Sequence, residues 1–314
     1  MRPADALDRI VYLLDRDLAE SQKVRAFARA RDVVEEVGDD EVERLHAHGD
    51  LTDLPGIGPT TARVIAEALD GGVPSYVAEL EVRTQIPAED GAGVRAALRG
   101  DCHTHSTWSD GGASIEKMAR TAMVLGHEYM VLTDHSPRLT VAHGLSADRL
   151  RRQLDEIEAL NERLAPFRIL HGIEVNIRAD GSLDVDADVL AGLDWVMASL
   201  HSAFDRDPTG RILKAMESPH VDCIGHPTAR KINKRPPADV DIERLIDKAL
   251  GTGTFLEINA QPDRLDLRDV HARTVAEAGV PVAVSSDAHS TRALGYAELG
   301  LAQARRAWLT RDQV

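Results

Sequence analysis

The sequence predicts an α/β protein, a barrel of seven strand–helix units preceded by a small all-helical domain. Three observations carry that prediction. From residue 100 onward short apolar runs alternate with helical stretches, the pattern of βαβ units around a parallel sheet. Seven of these runs end in imidazole, carboxylate or amide side chains. Seven strand ends of an open sheet cannot easily converge on one place, whereas the C-terminal rim of a barrel brings them together.

The first 87 residues show only the helical period. Ala6, Ile10, Leu13, Leu14 and Leu18 form one apolar stripe, Val24, Phe27, Ala28, Val33 and Val34 a second, and Val42 with Leu45 a third. Residues 51–69 differ, because Leu54-Pro55-Gly56-Ile57-Gly58 places a glycine-bounded hairpin directly before an alanine- and isoleucine-rich helix. Glycine lets the backbone come close to a partner, and free amides at a helix start can hold a phosphate oxygen. The segment resembles a helix-hairpin-helix, which would grip a nucleic-acid backbone through Gly56, Ile57 and Gly58; the plainer alternative is a tight helix–helix turn. Residues 88–99, polar and glycine-containing, are expected to be a linker, leaving 100–314 for the barrel.

Within the barrel the strands are expected at Asp101–His105, Val131–His135, Ile169–Glu174, Met197–His201, Cys223–His226, Phe255–Asn259 and Val284–His289. Helical stretches separate them at Ser114–Leu125, Ala147–Leu164, Arg211–Met216, Asp241–Leu250 and Val270–Ala278. His103 with His105, and Asp287 with His289, stand at i and i+2, so both members of each pair point the same way from an extended chain. Imidazole and carboxylate are the usual ligands of zinc, manganese and iron. The set at these strand ends, with Asp110 just beyond the first, would hold more than one ion.

Composition narrows the class. The formal net charge of −15 opposes tight, non-specific DNA binding unless the charge is unevenly spread. Two cysteines cannot build a disulfide framework, and both fall inside strands as buried thiols. No apolar stretch approaches a membrane span, and the N-terminus has no signal-peptide core, so the cytoplasm is the expected compartment. A monomer or small homo-oligomer with no obligate protein partner is expected.

The motifs His-Thr-His at 103–105, Thr-Asp-His at 133–135, Gly-Ile-Glu at 172–174, Ser-Leu-His at 199–201, Gly-His-Pro at 225–227 and Ser-Asp-Ala-His at 286–289 resemble the PHP (polymerase and histidinol phosphatase) family. The resemblance implies a distorted (β/α)7 barrel with three divalent ions, manganese or zinc, with iron as an alternative. It implies a first ion on His103, His105, Glu174 and Asp287, a second on Glu174, His201 and His226, and a third on Asp110, His135 and His289. The N-terminal part resembles the DNA-end-binding domain of family X DNA polymerases, whose bacterial members also carry a PHP domain; no polymerase palm fits between the two here. Where lyase-active relatives carry a Schiff-base lysine this chain has Val64, and the adjacent Arg63 stays protonated, so DNA-end binding without lyase chemistry is expected.

Several divalent ions in one cup suit phosphoester hydrolysis, with Glu174, Asp287 and His289 nearest the chemistry. Arg138, Arg230 and Arg264 follow strands two, five and six, where a guanidinium could fork onto phosphate, and Asn259 ends strand six as a further substrate contact. Each arginine could equally face solvent. His143, in the loop after strand two, is a possible neighbour of the site. Trp108 is expected to pack over the barrel mouth, and Trp195 and Trp308 to be core. The leading expectation is a manganese- or zinc-dependent phosphoesterase acting on DNA 3′ ends, as an exonuclease, 3′-phosphatase or 3′-phosphodiesterase. The alternative is a small-molecule phosphatase of the histidinol phosphate type. A non-enzymatic scaffold is disfavoured because such domains lose ligands first.

Overall fold

The computed structural model describes residues 1–86 and 93–314, which form two compact units, one up to Pro87 and one from Ala88 onward. In the first unit, α1 (Pro3–Arg16) buries Leu7, Ile10, Val11, Leu13 and Leu14, and packs against α2 (Ser21–Val37), α4 (Pro59–Leu69) and α5 (Ser75–Arg83). The short α3 (Asp39–His48) completes the bundle. Leu18, placed on the first stripe by its spacing, lies beyond the end of α1 at positive φ and is 39% exposed.

The hairpin between α3 and α4 turns through Gly56 at φ +97°, a conformation that side chains resist. Ile57 is buried and its amide donates to the Leu54 carbonyl, so its side chain anchors the turn rather than facing a ligand. The Gly58 amide donates to Thr61 Oγ1 at 2.9 Å. That amide is therefore occupied by the cap of α4, and the amides that helix geometry leaves free are those of the first turn, the helix start expected to hold a phosphate oxygen.

In the second unit seven parallel strands run in sequential order: β1 (Gly100–Thr104), β2 (Tyr129–Leu132), β3 (Arg168–Asn176), β4 (Trp195–Ser199), β5 (Cys223–Gly225), β6 (Phe255–Asn259) and β7 (Val282–Ser285). A parallel bridge between Thr104 and Ala288 nearly closes the barrel, with the His105 amide donating to the Ala288 carbonyl at 2.8 Å. Helices α7 (Ile115–Val124), α8 (Ala147–Leu164), α9 (Ala187–Leu190), α10 (Pro208–Ala215), α11 (Ile242–Thr252) and α12 (Asp269–Glu277) fill the connections, and α13 (Ala297–Arg306) follows β7. Ser114, Ser146, Asp207 and Asp241 cap α7, α8, α10 and α11 through their side chains.

Strand parity divides the barrel. Ile173, Val175, Val196, Ala198, Ile224, Leu256, Ile258, Val282 and Val284 belong to the large core, while Met197, Cys223 and Ala283 form a second, small cluster with Trp195 and Phe255. The alternate set also contains Glu174, Asn176, Glu257 and Asn259. A Cβ on Gly225 would collide with Ser199 Oγ, which explains a glycine inside that strand.

Two further expectations differ from this fold. Within the segment 88–99, expected as linker, Val94–Ala97 forms a helical turn, α6, whose Val94 is buried in the large core and whose Arg95 pairs with Glu298; Pro87 and residues 88–92 lie outside the described residues. Trp308, expected as core, is 71% exposed and covered on one face by Arg273 at 4.0 Å. Trp195 is half-buried, edge-on to Phe255. Among the described residues no helix is long and apolar enough to cross a membrane.

Candidate metal centre

Glu174, at the C-terminal end of β3, is the hub of the barrel mouth. Its carboxylate, 1% exposed, places Oε1 at 3.1 Å from His226 Nε2, 3.3 Å from His201 Nε2 and 3.5 Å from His103 Nε2. Its Oε2 stands 2.8 Å from His135 Nδ1 and 3.8 Å from His105 Nε2. Asp287 Oδ1 is 3.3 Å from His105 Nε2 and 3.7 Å from His103 Nε2. Asp110 Oδ1 is 3.4 Å from His289 Nε2 and 3.6 Å from His135 Nε2. The structure thus brings together all nine residues singled out at the strand ends.

The arrangement fits divalent cations. Donors about 2.1 Å from a tetrahedral ion lie about 3.4 Å from one another, close to most of these separations. His103 Nε2 and both nitrogens of His105 are buried without a hydrogen-bond partner, which is costly unless something else uses their lone pairs. Three groups of side chains can each offer donor atoms within 4.8 Å of one another: His103, His105 and Glu174; His135, Glu174 and His201; and His105, Asp110, His135 and His289. His105 and His135 therefore lie between groups that the family resemblance keeps apart.

A second layer orients the imidazoles. His103 Nδ1 is 2.8 Å from Glu257 Oε1, and the other Glu257 oxygen accepts from the His226 amide at 2.6 Å and from Asn259 Nδ2 at 3.1 Å. His201 Nδ1 is 2.6 Å from Asn176 Oδ1, and Asn176 Nδ2 donates to Ser136 Oγ and to Asp184, both at 2.8 Å. With the proton on Nδ1 in each ring, Nε2 is left as a lone pair facing the cup. Glu257, Asn176 and Asp184 were not singled out from sequence. The available signals were a lone acid inside the apolar β6 and an amide two residues after Glu174.

Burial pushes each imidazole down, and neighbouring charges decide the outcome. His105 falls to about 3 under burial and the charges of His289 and His135, and His226 to about 3 under burial and Arg264. For His289 the Asp110 contact and the Asp287 charge outweigh burial and lift it to about 9. Burial would raise Asp110, but His289 holds it at about 2, and His201, His103 and His135 likewise keep Glu174 well below the ordinary carboxylate range. The acids of the cup stay ionised.

The expected substrate contacts separate. Arg264, its side chain 12% exposed, points Nε at Asp287 Oδ2 across 3.5 Å, and its Nε and Nη1 are buried without a hydrogen-bond partner. Arg230 instead donates Nε to the Arg264 carbonyl at 2.6 Å and Nη2 to the Leu265 carbonyl, so it buttresses the loop that carries Arg264. Asn259 donates to Asp287 Oδ2 at 3.0 Å as well as to Glu257, which makes it a positioning group for Asp287. The Arg138 side chain is exposed, as is His143, whose carbonyl accepts from Arg149. Trp108 donates to Glu156 at 2.9 Å with Arg149 over its ring.

Buried histidines and carboxylates gathered at the C-terminal rim of a parallel barrel, together with a match to the PHP domain, define a metal-dependent phosphoesterase. The sequence signature of the PHP domain matches residues 101–261 and that of a helix-hairpin-helix domain residues 2–74, and the chain belongs to the PHP family. It is 47% identical over 215 residues to a Bacillus subtilis (strain 168) protein named DNA polymerase/3'-5' exonuclease PolX, a match covering 67% of this chain but only 38% of that one. It is 34% identical over 230 residues to a probable phosphatase of Thermoanaerobacter sp. (strain X514), covering 68% of this chain and 88% of the relative. The structure resembles that of a Listeria monocytogenes protein assigned as a histidinol phosphatase, with a TM-score of 0.51 at 16% identity over 62% of this chain and 97% of the other, a likeness of fold alone.

Proposed function

We propose that the protein hydrolyses phosphoester bonds at DNA 3′ ends, as an exonuclease, 3′-phosphatase or 3′-phosphodiesterase, with up to three divalent ions held by His103, His105, Asp110, His135, Glu174, His201, His226, Asp287 and His289. The observation that carries this reading is the Arg264 guanidinium beside the cup, whose Nε faces Asp287 across 3.5 Å and whose Nε and Nη1 make no hydrogen bond; a phosphate oxygen is the acceptor those donors suit. The helix-hairpin-helix match and the exonuclease name of the Bacillus relative support DNA as the carrier of that phosphate.

Manganese, zinc or iron bound there supplies Lewis acidity, acidifying water and neutralising phosphate charge. The protein supplies orientation. Glu257 and Asn176 fix the tautomers of His103 and His201. Asn259 steadies Asp287, and Arg264 offers its free donors to the ester. Burial of the hub keeps bulk water from competing for these groups.

A small-molecule phosphatase of the histidinol phosphate type is the second reading. The net charge of −15 and the phosphatase name of the Thermoanaerobacter relative favour it. Assays with 3′-phosphorylated duplex, plain single-stranded DNA and histidinol phosphate, each with Mn²⁺, Zn²⁺, Mg²⁺ or EDTA, separate the two. DNA-end hydrolysis with Mn²⁺ or Zn²⁺ that EDTA abolishes is the expected result; turnover of histidinol phosphate alone would overturn it.

A further inference from the structure

The loops after β5 and β6 carry an excess of positive charge in an acidic chain. They are pinned together by the Ile232 amide donating to the Asp263 carbonyl at 2.5 Å. One carboxylate, Asp263, serves two lysines, Lys231 at 2.9 Å and Lys234 at 3.2 Å. Arg235 has no carboxylate partner among the described residues: its Nε and Nη2 both donate to the Ala229 carbonyl, at 2.9 and 2.6 Å, and its guanidinium lies 3.9 Å from the centre of the Phe204 ring. Phe204 follows the candidate ligand His201 by three residues.

These cations crowd one another. Burial first, and then the Arg264 charge, push Lys231 and Arg235 below their ordinary values against the opposing pull of Asp263. An anion placed among them would relieve that repulsion. A single phosphate ester seated at the cup is already served by Arg264, and would leave the outer cations unused. A ligand with a second phosphate would use both.

We propose that Lys231, Lys234 and Arg235 form a second phosphate subsite that holds a nucleic-acid strand one phosphate inward from the ester at the cup. The inference rests on the DNA-end reading and adds that recognition comes partly from the barrel itself. Phe204, packed against the large core, holds the Arg235 guanidinium over its ring and so fixes where that charge stands.

The test uses the full-length, metal-loaded protein with two substrates, a 3′-phosphorylated oligonucleotide and 4-nitrophenyl phosphate, which has one phosphate. In Lys231→Gln/Lys234→Gln the ratio of kcat/KM for the oligonucleotide to that for 4-nitrophenyl phosphate should fall at least tenfold. The salt dependence of oligonucleotide binding should flatten by about 0.7 log unit per log unit of salt, the loss of one single-strand phosphate contact. Lys234→Glu, at a side chain 64% exposed, should move the ratio the same way without disturbing the buried stem of Lys231. If the wild type cleaves the oligonucleotide but both variants keep its ratio and slope, the subsite is refuted and the DNA-end reading stands. If the wild type cleaves only 4-nitrophenyl phosphate, the DNA-end reading falls and the subsite with it.

Discussion

Replacing Glu257 with glutamine probes the metal centre without touching any residue expected to hold an ion. All three polar partners of this carboxylate are donors: His103 Nδ1 on one oxygen, the His226 amide and Asn259 Nδ2 on the other. Glutamine has one acceptor oxygen and a donor amide, so at least one buried N–H must face another N–H. If the amide turns to His103, the imidazole keeps a partner only by moving its proton to Nε2, which then cannot serve a cation. If it turns the other way, two donors on the β5 and β6 side are orphaned. Losing a hydrogen bond to a charged group costs about 1.5–3 kcal/mol, equivalent to roughly 10- to 150-fold in an equilibrium, in line with the roughly 10–100-fold effects of removing such orienting groups elsewhere. Zn²⁺ or Mn²⁺ affinity, measured by competition with a chromogenic chelator, should therefore weaken by one to two orders of magnitude, with circular dichroism unchanged. A Glu257→Gln protein of wild-type metal affinity and turnover would show that His103 needs no orienting carboxylate, and the tautomer argument would fail.

Two further outcomes follow from other parts of the molecule. Burial raises Asp266 to about 6, although Thr228 donates to it twice; the folded protein then holds this proton more tightly than the unfolded chain, so its contribution is present below about pH 4 and is lost as pH rises to 6. Two units correspond to about 3 kcal/mol, and Asp266→Asn should gain up to that much over wild type between pH 4 and 7 in urea unfolding; parallel curves would disprove the shift. In the N-terminal unit Gly58→Val is the clean probe of the hairpin, because a Cβ there meets nothing within 4 Å, whereas at Gly56 it would sit at positive φ and 3.1 Å from Arg29 Cδ. If the hairpin lies against DNA, KM for a long duplex with a recessed 3′ end should rise several-fold while 4-nitrophenyl phosphate hydrolysis stays unchanged; no change on the duplex would make the hairpin a structural turn.

What could be read in the sequence was whatever strand geometry alone determines. His103, His105, Glu174 and His201 stand at strand ends on one parity, and a parallel barrel leaves such residues nowhere to point but its mouth; His226 falls on the parity of the core residue Ile224 and reaches Glu174 just past β5, where its φ is +31°. Residues whose role depends on which loops touch were not legible. Arg230 and Arg264 have the same side chain in equivalent loops, yet carbonyls of residues 264 and 265 satisfy the first and no hydrogen-bond acceptor satisfies the second, a difference set by contacts some 35 positions away. The helical turn at 94–97 was hidden because a single buried residue, Val94, carries it inside a polar stretch. The orienting groups fall between these cases. Asn176 stands two residues after Glu174, and Glu257 two before Asn259, so each shares the parity of a residue already singled out. A polar side chain on the inward parity of a barrel strand has few neighbours besides the site and its supports, because the outward parity is filled by aliphatic core. Parity therefore shows that such a residue belongs to the centre, and its depth along the strand decides whether it meets the ion or the imidazole behind it.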